Sequence, residues 1–144
     1  MFKMDRPTIF TVSTGNFKRM DPKEFDEVIV VTRRKPNNFI IHDNISWDSN
    51  MAPTTNLLTK LQRREITWQK YRSEFDAEKT ANKAYQDKIY RIADDIFTNK
   101  KRILIVCNSS NYLSCNRLLC ARDIKCMNTA IIVKEISFIG GEMV

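Results

Sequence analysis

The sequence predicts an α/β fold: a small open, mainly parallel sheet of four to five strands flanked by helices, with a helical insertion at about residues 54–99. Two apolar runs lie early in the chain and two lie late, namely TIFTVS, EVIVVT, RILIVC and TAIIVK. Continuous Val/Ile-rich runs are typical of strands that are buried on both faces of a parallel sheet. At 144 residues the chain fits one domain, residues 1–144.

The first half of the chain contains two predicted strands, at residues 8–13 and 27–32. A turn at Thr14-Gly15-Asn16 and a second at Asp21-Pro22 separate them. Residues 33–50 are polar and show no periodicity. A loop of about 18 residues is long for a compact domain, and loops of that length are often functional.

The helical insertion contains three predicted helices. Leu57, Leu58 and Leu61 form the apolar stripe of the first helix. Thr67 is placed to cap a second helix that carries Trp68, Tyr71 and Phe75. In the third helix, about residues 78–98, apolar residues recur every three or four positions.

The last part of the chain predicts a strand, a helix and a strand. A strand at residues 102–107 leads into a loop at 108–113. A helix then runs from Cys115 to about Asp123, and a strand follows at 129–134, with residues 136–139 as a short extension. Such a unit is expected to form a right-handed parallel crossover.

The composition favours an ordinary intracellular protein. No apolar run is long enough to span a bilayer, and the start of the chain does not resemble a secretory signal. The four cysteines are therefore expected to be free thiols in a reducing compartment, and the location to be cytoplasmic. Glycine-rich nucleotide motifs and CxxC pairs are both lacking, so neither a metal site nor a cofactor is predicted.

The charge is concentrated in one part of the chain. The formal net charge is +7, and residues 60–102 hold 12 Lys/Arg against 7 Asp/Glu. This excess indicates either a solvated helical face or a surface for the phosphates of a nucleotide or nucleic acid. Lys83, Lys88 and Arg91 would carry the second function.

The strand order points to a binding site around residues 107–117. Ligands of open parallel sheets bind beyond the carboxyl ends of the strands. Ser114 is placed to cap the following helix, which leaves the amides of Cys115, Asn116 and Arg117 facing outward. These amides and the Arg117 guanidinium favour an anion. The alternative for Arg117 is a structural ion pair with an acid of the helix.

Further candidate ligand-binding residues follow the buried strands or lie in the loops after them: Arg33, Arg34, Trp47, Cys107, Asn108 and Tyr112. Trp47 or Tyr112 would stack on a base. For catalysis, the candidates are Cys115, as a thiolate nucleophile at a helix start, and Asp43 or Asp48, as acid-base groups. His42 is the only histidine, so a Cys-His pair would have to use it.

Five segments resemble, in order, the bacterial and archaeal family known as domain of unknown function 488: VIVVTRRKPNNF, WDSNMAP, ITWQKYRSEF, ILIVC and SCNRLLC. The resemblance covers roughly residues 8–125 and implies an α/β fold but no settled activity. It implies a shared site at Cys115, Arg117 and Arg33 or Arg34. Asn116 replaces the histidine of the family's Cys-His-Arg motif, and Asn108 and Ser109 stand where an acidic residue often follows the strand. Both changes remove groups that move protons and favour binding without turnover.

Three functions follow as hypotheses. The leading one is a cytoplasmic protein that binds a phosphorylated small molecule, most simply a nucleotide, at residues 107–117. The second is a nucleotide- or nucleoside-processing enzyme, of hydrolase or glycosidase type, that uses Cys115 or Asp43/Asp48. The third is a basic protein that binds nucleic acid or a host protein through its helices, since low glycine and many Asn and Lys are typical of phage gene products. None involves a membrane.

Overall fold

The computed structural model describes residues 6–35, 42–108, 116–139 and 141–143. Five strands form one parallel sheet: β1 (Thr8–Ser13), β2 (Glu27–Val30), β3 (Ile45–Trp47), β4 (Ile103–Cys107) and β5 (Ile132–Glu135). Their order across the sheet is β3-β2-β4-β1-β5. The predicted α/β class and the parallel sheet of four to five strands are confirmed.

The helices are α1 (Thr14–Phe17), α2 (Thr55–Gln62), α3 (Trp68–Thr80), α4 (Lys83–Phe97) and α5 (Asn116–Met127), with short 3-10 turns at Pro22–Glu24 and Ser49–Met51. Four begin at a residue whose side chain accepts a hydrogen bond from a backbone amide of the first turn: Ser13, Thr54, Thr67 and Asn82. The predicted cap at Thr67 is confirmed. None of the helices in the described residues is both long and apolar enough to cross a membrane.

Three local predictions are wrong. Residues 33–50 are not wholly irregular, because β3 pairs with β2 at the edge of the sheet. The helix predicted at 78–98 is interrupted, because Asn82 leaves the helical conformation and caps α4 through a bond from the amide of Tyr85. Residues 136–139 do not extend β5. Instead β6 (Phe138–Ile139) pairs antiparallel with β7 (Glu142–Met143) in a separate small sheet.

The strand register brings the carboxyl ends of the strands to one edge of the sheet. Ser13 of β1 lies opposite Cys107 of β4, and Thr11 lies opposite Glu135 of β5. On the other side, Val30 of β2 pairs with both β3 and β4. Since all pairings are parallel, the polar segments that follow β2, β3 and β4 leave from the same edge.

The sheet is buried on both faces, as its continuous apolar strands predict. On one face, strand residues such as Ile9 and Ile105 pack with α4 and α5 residues such as Ile92 and Ile124. On the other, the core is built from valines of the sheet, Phe25 and partly buried aromatic residues. A third, smaller cluster joins α2, α3 and α5: Leu57, Tyr71, Phe75 and Leu119.

Candidate functional site

Arg117, the second residue of α5, is almost completely buried, at 1% exposed. Its Nε and Nη2 donate to the two carboxylate oxygens of Glu135 at 2.9 and 2.8 Å, and Nη1 lies 3.4 Å from the sulfur of Cys107. The hydroxyl of Thr11 also donates to Glu135. Arg117 is therefore paired with an acid, as the structural alternative proposes, but that acid lies on β5 and not on a helix.

Asn116, the first residue of α5, connects the start of this helix to two other segments. Its amide nitrogen donates to the backbone oxygens of Val31 and Met51, both at 2.8 Å. Val31 follows β2, and Met51 follows β3. The start of α5 therefore contacts the segments that follow β2 and β3, and the side chain of Asn116 joins them.

Arg33, one of the predicted anion-binding residues, lines a cleft. Its Nε and Nη2 donate to the backbone oxygens of Pro53 and Ala52, each at 2.8 Å. These bonds occupy one edge of the guanidinium, and Nη1 has no hydrogen-bond partner among the described residues. The side chain is half-buried and lines a cleft of about 240 Å³.

The cleft lies between the segments that follow β2 and β3 and the helices α3 and α4. Six of its eight lining residues have polar side chains, and the lining comes from Arg33, Asn50, Ala52, Thr54, Phe75, Glu78, Lys79 and Asn82. Glu78 accepts bonds from both the amide and the hydroxyl of Thr54. Arg33 is among the lining residues, whereas Arg34 and Trp47 are not.

Lys79 forms the buried cationic wall of the cleft and is 5% exposed. Its ammonium lies 2.7 Å from Asp123 of α5 and 3.0 Å from Asp76, and 4.6 Å from the ring centre of Phe75. Burial lowers the pKa of Lys79, but the bond and the charge of Asp123, followed by those of Asp76, outweigh burial and raise it. The ammonium therefore stays charged beneath the cleft.

Behind Lys79 lies a buried polar cluster. The hydroxyl of Tyr85 donates to Asp123 and also lies 3.9 Å from the sulfur of Cys120. Burial raises the pKa of Tyr85 strongly, and it raises the pKa of the Cys120 thiol to about 12. Cys120 is thus a neutral core thiol, as its position after two leucines predicts, and not a nucleophile.

The remaining predicted site residues lie in different surroundings. Asn108 and Arg34 are exposed, and Trp47 is 37% exposed with its indole donating to the backbone oxygen of Thr32. Cys107 is buried and disulfide-bonded, so the prediction of four free thiols is wrong for this residue. Cys120 and Cys126 are free. Tyr112, Ser114 and Cys115 lie outside the described residues.

The candidate acid-base groups do not form a pair. His42 and Asp43 are exposed. Asp48 accepts from the amide of Asn50 and lies 3.6 Å from the ammonium of Lys88, so it is engaged in holding the turn after β3. Across the described stretches of the chain, no three His, Cys, Asp or Glu side chains are grouped to hold a metal ion.

The cations predicted to bind nucleic acid on α4 all have acidic partners. Lys83 pairs with Asp87, Lys88 with Asp48, and Arg91 with Glu27 through two hydrogen bonds. Arg91 also pairs with Asp95. The sequence could not show this, because two of these partners lie on other elements, far away along the chain.

Two residues near the carboxyl edge of the sheet were not predicted from the sequence: the acid Glu135 and the buried cation Lys79. Glu135 ends β5, and an acid at the carboxyl end of a parallel strand is a usable signal. Lys79 interrupts the apolar stripe of Tyr71 and Phe75 at helical spacing, which is also visible in the sequence. Nothing in the sequence pairs it with Asp123.

One family model matches the chain. Its description is the Active DUF488-N3 subclade, and the match covers residues 10–127. It includes Arg33, Lys79, Asn116 and Arg117, and it ends before Glu135. No curated protein and no solved structure matches the chain significantly.

Proposed function

The chain belongs to the domain of unknown function 488 family, and from this membership and the geometry of the cleft we propose that it binds a phosphorylated small molecule, most simply a nucleotide. The proposed site is the cleft at the carboxyl edge of the sheet, next to the predicted site at residues 107–117. Open parallel sheets bind ligands at this edge.

The arrangement of Arg33 carries the proposal. Two backbone oxygens hold one edge of its guanidinium, which fixes the side chain before any ligand arrives. Nη1 has no hydrogen-bond partner among the described residues and remains available for a ligand. A planar, pre-positioned guanidinium suits the oxygens of a phosphate, and little side-chain entropy is left to lose on binding.

The other walls suit the rest of such a ligand. The charge of Lys79 is balanced by Asp76 and Asp123, so Arg33 is the cation of the lining that a phosphate would meet. Asn50 and Asn82 line the cleft and carry amide groups, which suit hydroxyl groups of a sugar. At about 240 Å³ the cleft is smaller than typical ligand pockets of roughly 300–1,000 Å³. It therefore suits a phosphate and sugar, with a base left near the surface.

Two measurements on the purified protein test the proposal: mass spectrometry of small molecules released by denaturation, and a thermal-shift screen of phosphorylated metabolites. We expect a nucleotide to co-purify or to raise the Tm. The effect should be lost in Arg33→Gln and kept in Arg34→Gln, because only Arg33 lines the cleft. A phosphorylated ligand that binds Arg33→Gln as tightly as the wild type would contradict the proposal.

The word "active" in the description of the subclade favours a second proposal, that the bound nucleotide or nucleoside is also turned over. The candidate groups are those proposed from the sequence, Asp43 or Asp48 and Cys115; because Cys115 can act as a nucleophile only as a free thiol, the assay includes a reductant. Incubation with nucleotides and nucleosides, followed by product detection, tests it. Turnover that survives Cys115→Ser and both Asp→Asn substitutions would remove these residues from the mechanism.

A further inference from the structure

The largest excess of positive charge lies where α2 turns into α3, in residues 60–72, here called the α2–α3 corner. It holds five cations, Lys60, Arg63, Arg64, Lys70 and Arg72, against the single acid Glu65, a net +4 of the chain's +7. All except the half-buried Lys60 are exposed. None of the five is in an ion pair with a described residue, in contrast to the paired cations of α4.

From this corner we infer a second binding function: it contacts the phosphate backbone of a nucleic acid. Unpaired cations that cluster on one exposed segment attract phosphates and release their counterions, which supplies most of the affinity of sequence-independent binding. Three of the five are arginines, whose planar donors match phosphate oxygens in pairs.

The backbone conformation of Arg64 favours a functional role for its side chain, because the conformation itself does not favour arginine. The amide of Glu65 donates to Lys60 O at 2.9 Å, and the amide of Arg64 donates to Leu61 O at 3.0 Å. This is the Schellman end of a helix, in which the residue in the position of Arg64 has a positive φ and is usually glycine. Arg64 has a φ of 58°. A cation occupies a position where glycine would be less strained.

Lys100 provides an internal comparison. It follows α4 with a φ of 57°, close to that of Arg64, and the amide of the next residue, Lys101, donates to Asp95 O. The Lys100 ammonium, however, lies 5.3 Å from the ring centre of Phe97. The side chain of Lys100 therefore contacts an aromatic ring of the protein despite its strained backbone. The side chain of Arg64 makes no such contact with a described residue.

The packing of the corner favours a nucleic acid over an anionic membrane. Leu61, Ile66 and Trp68 turn inward and pack against the small cluster of α2, α3 and α5. The Trp68 ring also stacks on Tyr71, with ring centres 5.1 Å apart. A segment that lies on a membrane needs an apolar face to insert, and these residues are already occupied.

The corner and the cleft lie at opposite ends of the α2–α3 helix pair. Thr54, which caps the start of α2, lines the cleft, while the corner begins near the end of α2. Along α2, Lys60 lies about 9 Å from Thr54 at 1.5 Å per residue, and Arg63 and Arg64 lie beyond the end of the helix. The two sites can therefore be tested by separate substitutions.

The inference is tested by measuring the binding constants of labelled duplex DNA (about 20 base pairs) and single-stranded RNA (about 20 nucleotides) by fluorescence anisotropy, at salt concentrations between roughly 50 and 200 mM. On duplex DNA, we expect log K to fall with log salt at a slope of about −0.9 per phosphate contact, or roughly −4 for the corner. Arg63→Glu/Arg64→Glu should reduce this slope by about 2. Lys83→Glu, on the paired face of α4, should leave it unchanged.

A second pair of variants keeps the test valid even if the double charge reversal disturbs folding. Arg64→Gly and Lys100→Gly should each raise the Tm, because glycine relieves the positive φ. Only Arg64→Gly should also weaken binding, by several-fold at low salt, whereas Arg33→Gln should leave it intact. The inference is overturned if neither nucleic acid binds at the lowest salt, if Arg64→Gly and Lys100→Gly weaken binding equally, or if the protein binds anionic vesicles instead.

Discussion

Arg117 of α5 and Glu135 of β5 are joined side-on by two parallel hydrogen bonds of 2.9 and 2.8 Å, at the carboxyl edge of the sheet. The guanidinium is 1% exposed, and the carboxylate also accepts from Thr11 of the neighbouring strand β1. This pair ties the outermost strand β5 to the start of α5. Asn116 ties the same helix start to the segments after β2 and β3, so two consecutive residues hold the edge next to the cleft.

Replacing Arg117 with Lys tests the fork geometry of this pair. One ammonium cannot reproduce the two parallel bonds, and it leaves part of a largely buried carboxylate unsatisfied. We expect the free energy of unfolding to fall by about 2–4 kcal/mol in urea denaturation. Arg122→Lys, on the exposed side of α5, is the control and should change it by less than about 0.5 kcal/mol. Equal losses in both variants would mean that the pair does not stabilise the edge.

Asn116→Asp tests the link between the helix start and the loops. The substitution removes the donor and places a negative oxygen against the carbonyl oxygens of Val31 and Met51. We expect a larger loss of unfolding free energy than for Asn116→Ala, which should lose about 1–3 kcal/mol. The exposed Asn108→Asp serves as the control. If Asn116→Ala changes the free energy of unfolding by less than about 0.5 kcal/mol, the two bonds contribute little.

Tyr85 makes stability depend on pH in the alkaline range. Its folded pKa is raised by burial, so between the unfolded pKa near 10 and the folded value the native state holds a proton that the unfolded state has lost. The stability that Tyr85 contributes is therefore fully present below about pH 10 and declines as pH rises further. The raised pKa of the Cys120 thiol starts a similar decline from the unfolded thiol pKa of about 8.5. Lys79, whose pKa is also raised, adds to the same decline.

The measurement is the free energy of unfolding as a function of pH from about 9 to 11. Tyr85→Phe removes one titrating proton. The free energy of unfolding should therefore fall less steeply with pH, by up to about 1.4 kcal/mol per pH unit. Tyr90→Phe, at a tyrosine that is 66% exposed, should reproduce the wild-type slope. A steep decline that persists in Tyr85→Phe would show that another group causes it.

The sequence predicted those features that depend on neighbouring residues. Continuous Val/Ile runs identify the buried parallel strands β1, β2 and β4, and Thr67 identifies the start of α3. The sequence did not predict elements whose local signal is short or conflicts with a neighbouring signal. The strand β3 has only three residues, and Asn82 interrupts an apolar period that otherwise continues into α4.

The partners of the charged side chains were the least predictable part of the site, because ion pairs join residues that are distant along the chain. Arg91 pairs with Glu27, and Lys79 pairs with Asp123. The sequence shows how many cations a segment has but not which of them are already paired. The cations of α4 are paired with acids, whereas those of the α2–α3 corner form no ion pair with a described residue. The corner is therefore the better candidate for a basic binding surface.

NMR titration of the protein with an equimolar mixture of ribonucleoside monophosphates, with the matching nucleosides as the control, tests the central claim most directly. We expect saturable shifts at the Arg33 side chain and at residues that line the cleft, such as Asn50 and Asn82. The nucleosides should cause much smaller shifts, and the responses should vanish in Arg33→Gln. If nucleotides shift only the α2–α3 corner, or shift the cleft no more than nucleosides do, the cleft is not a phosphate site.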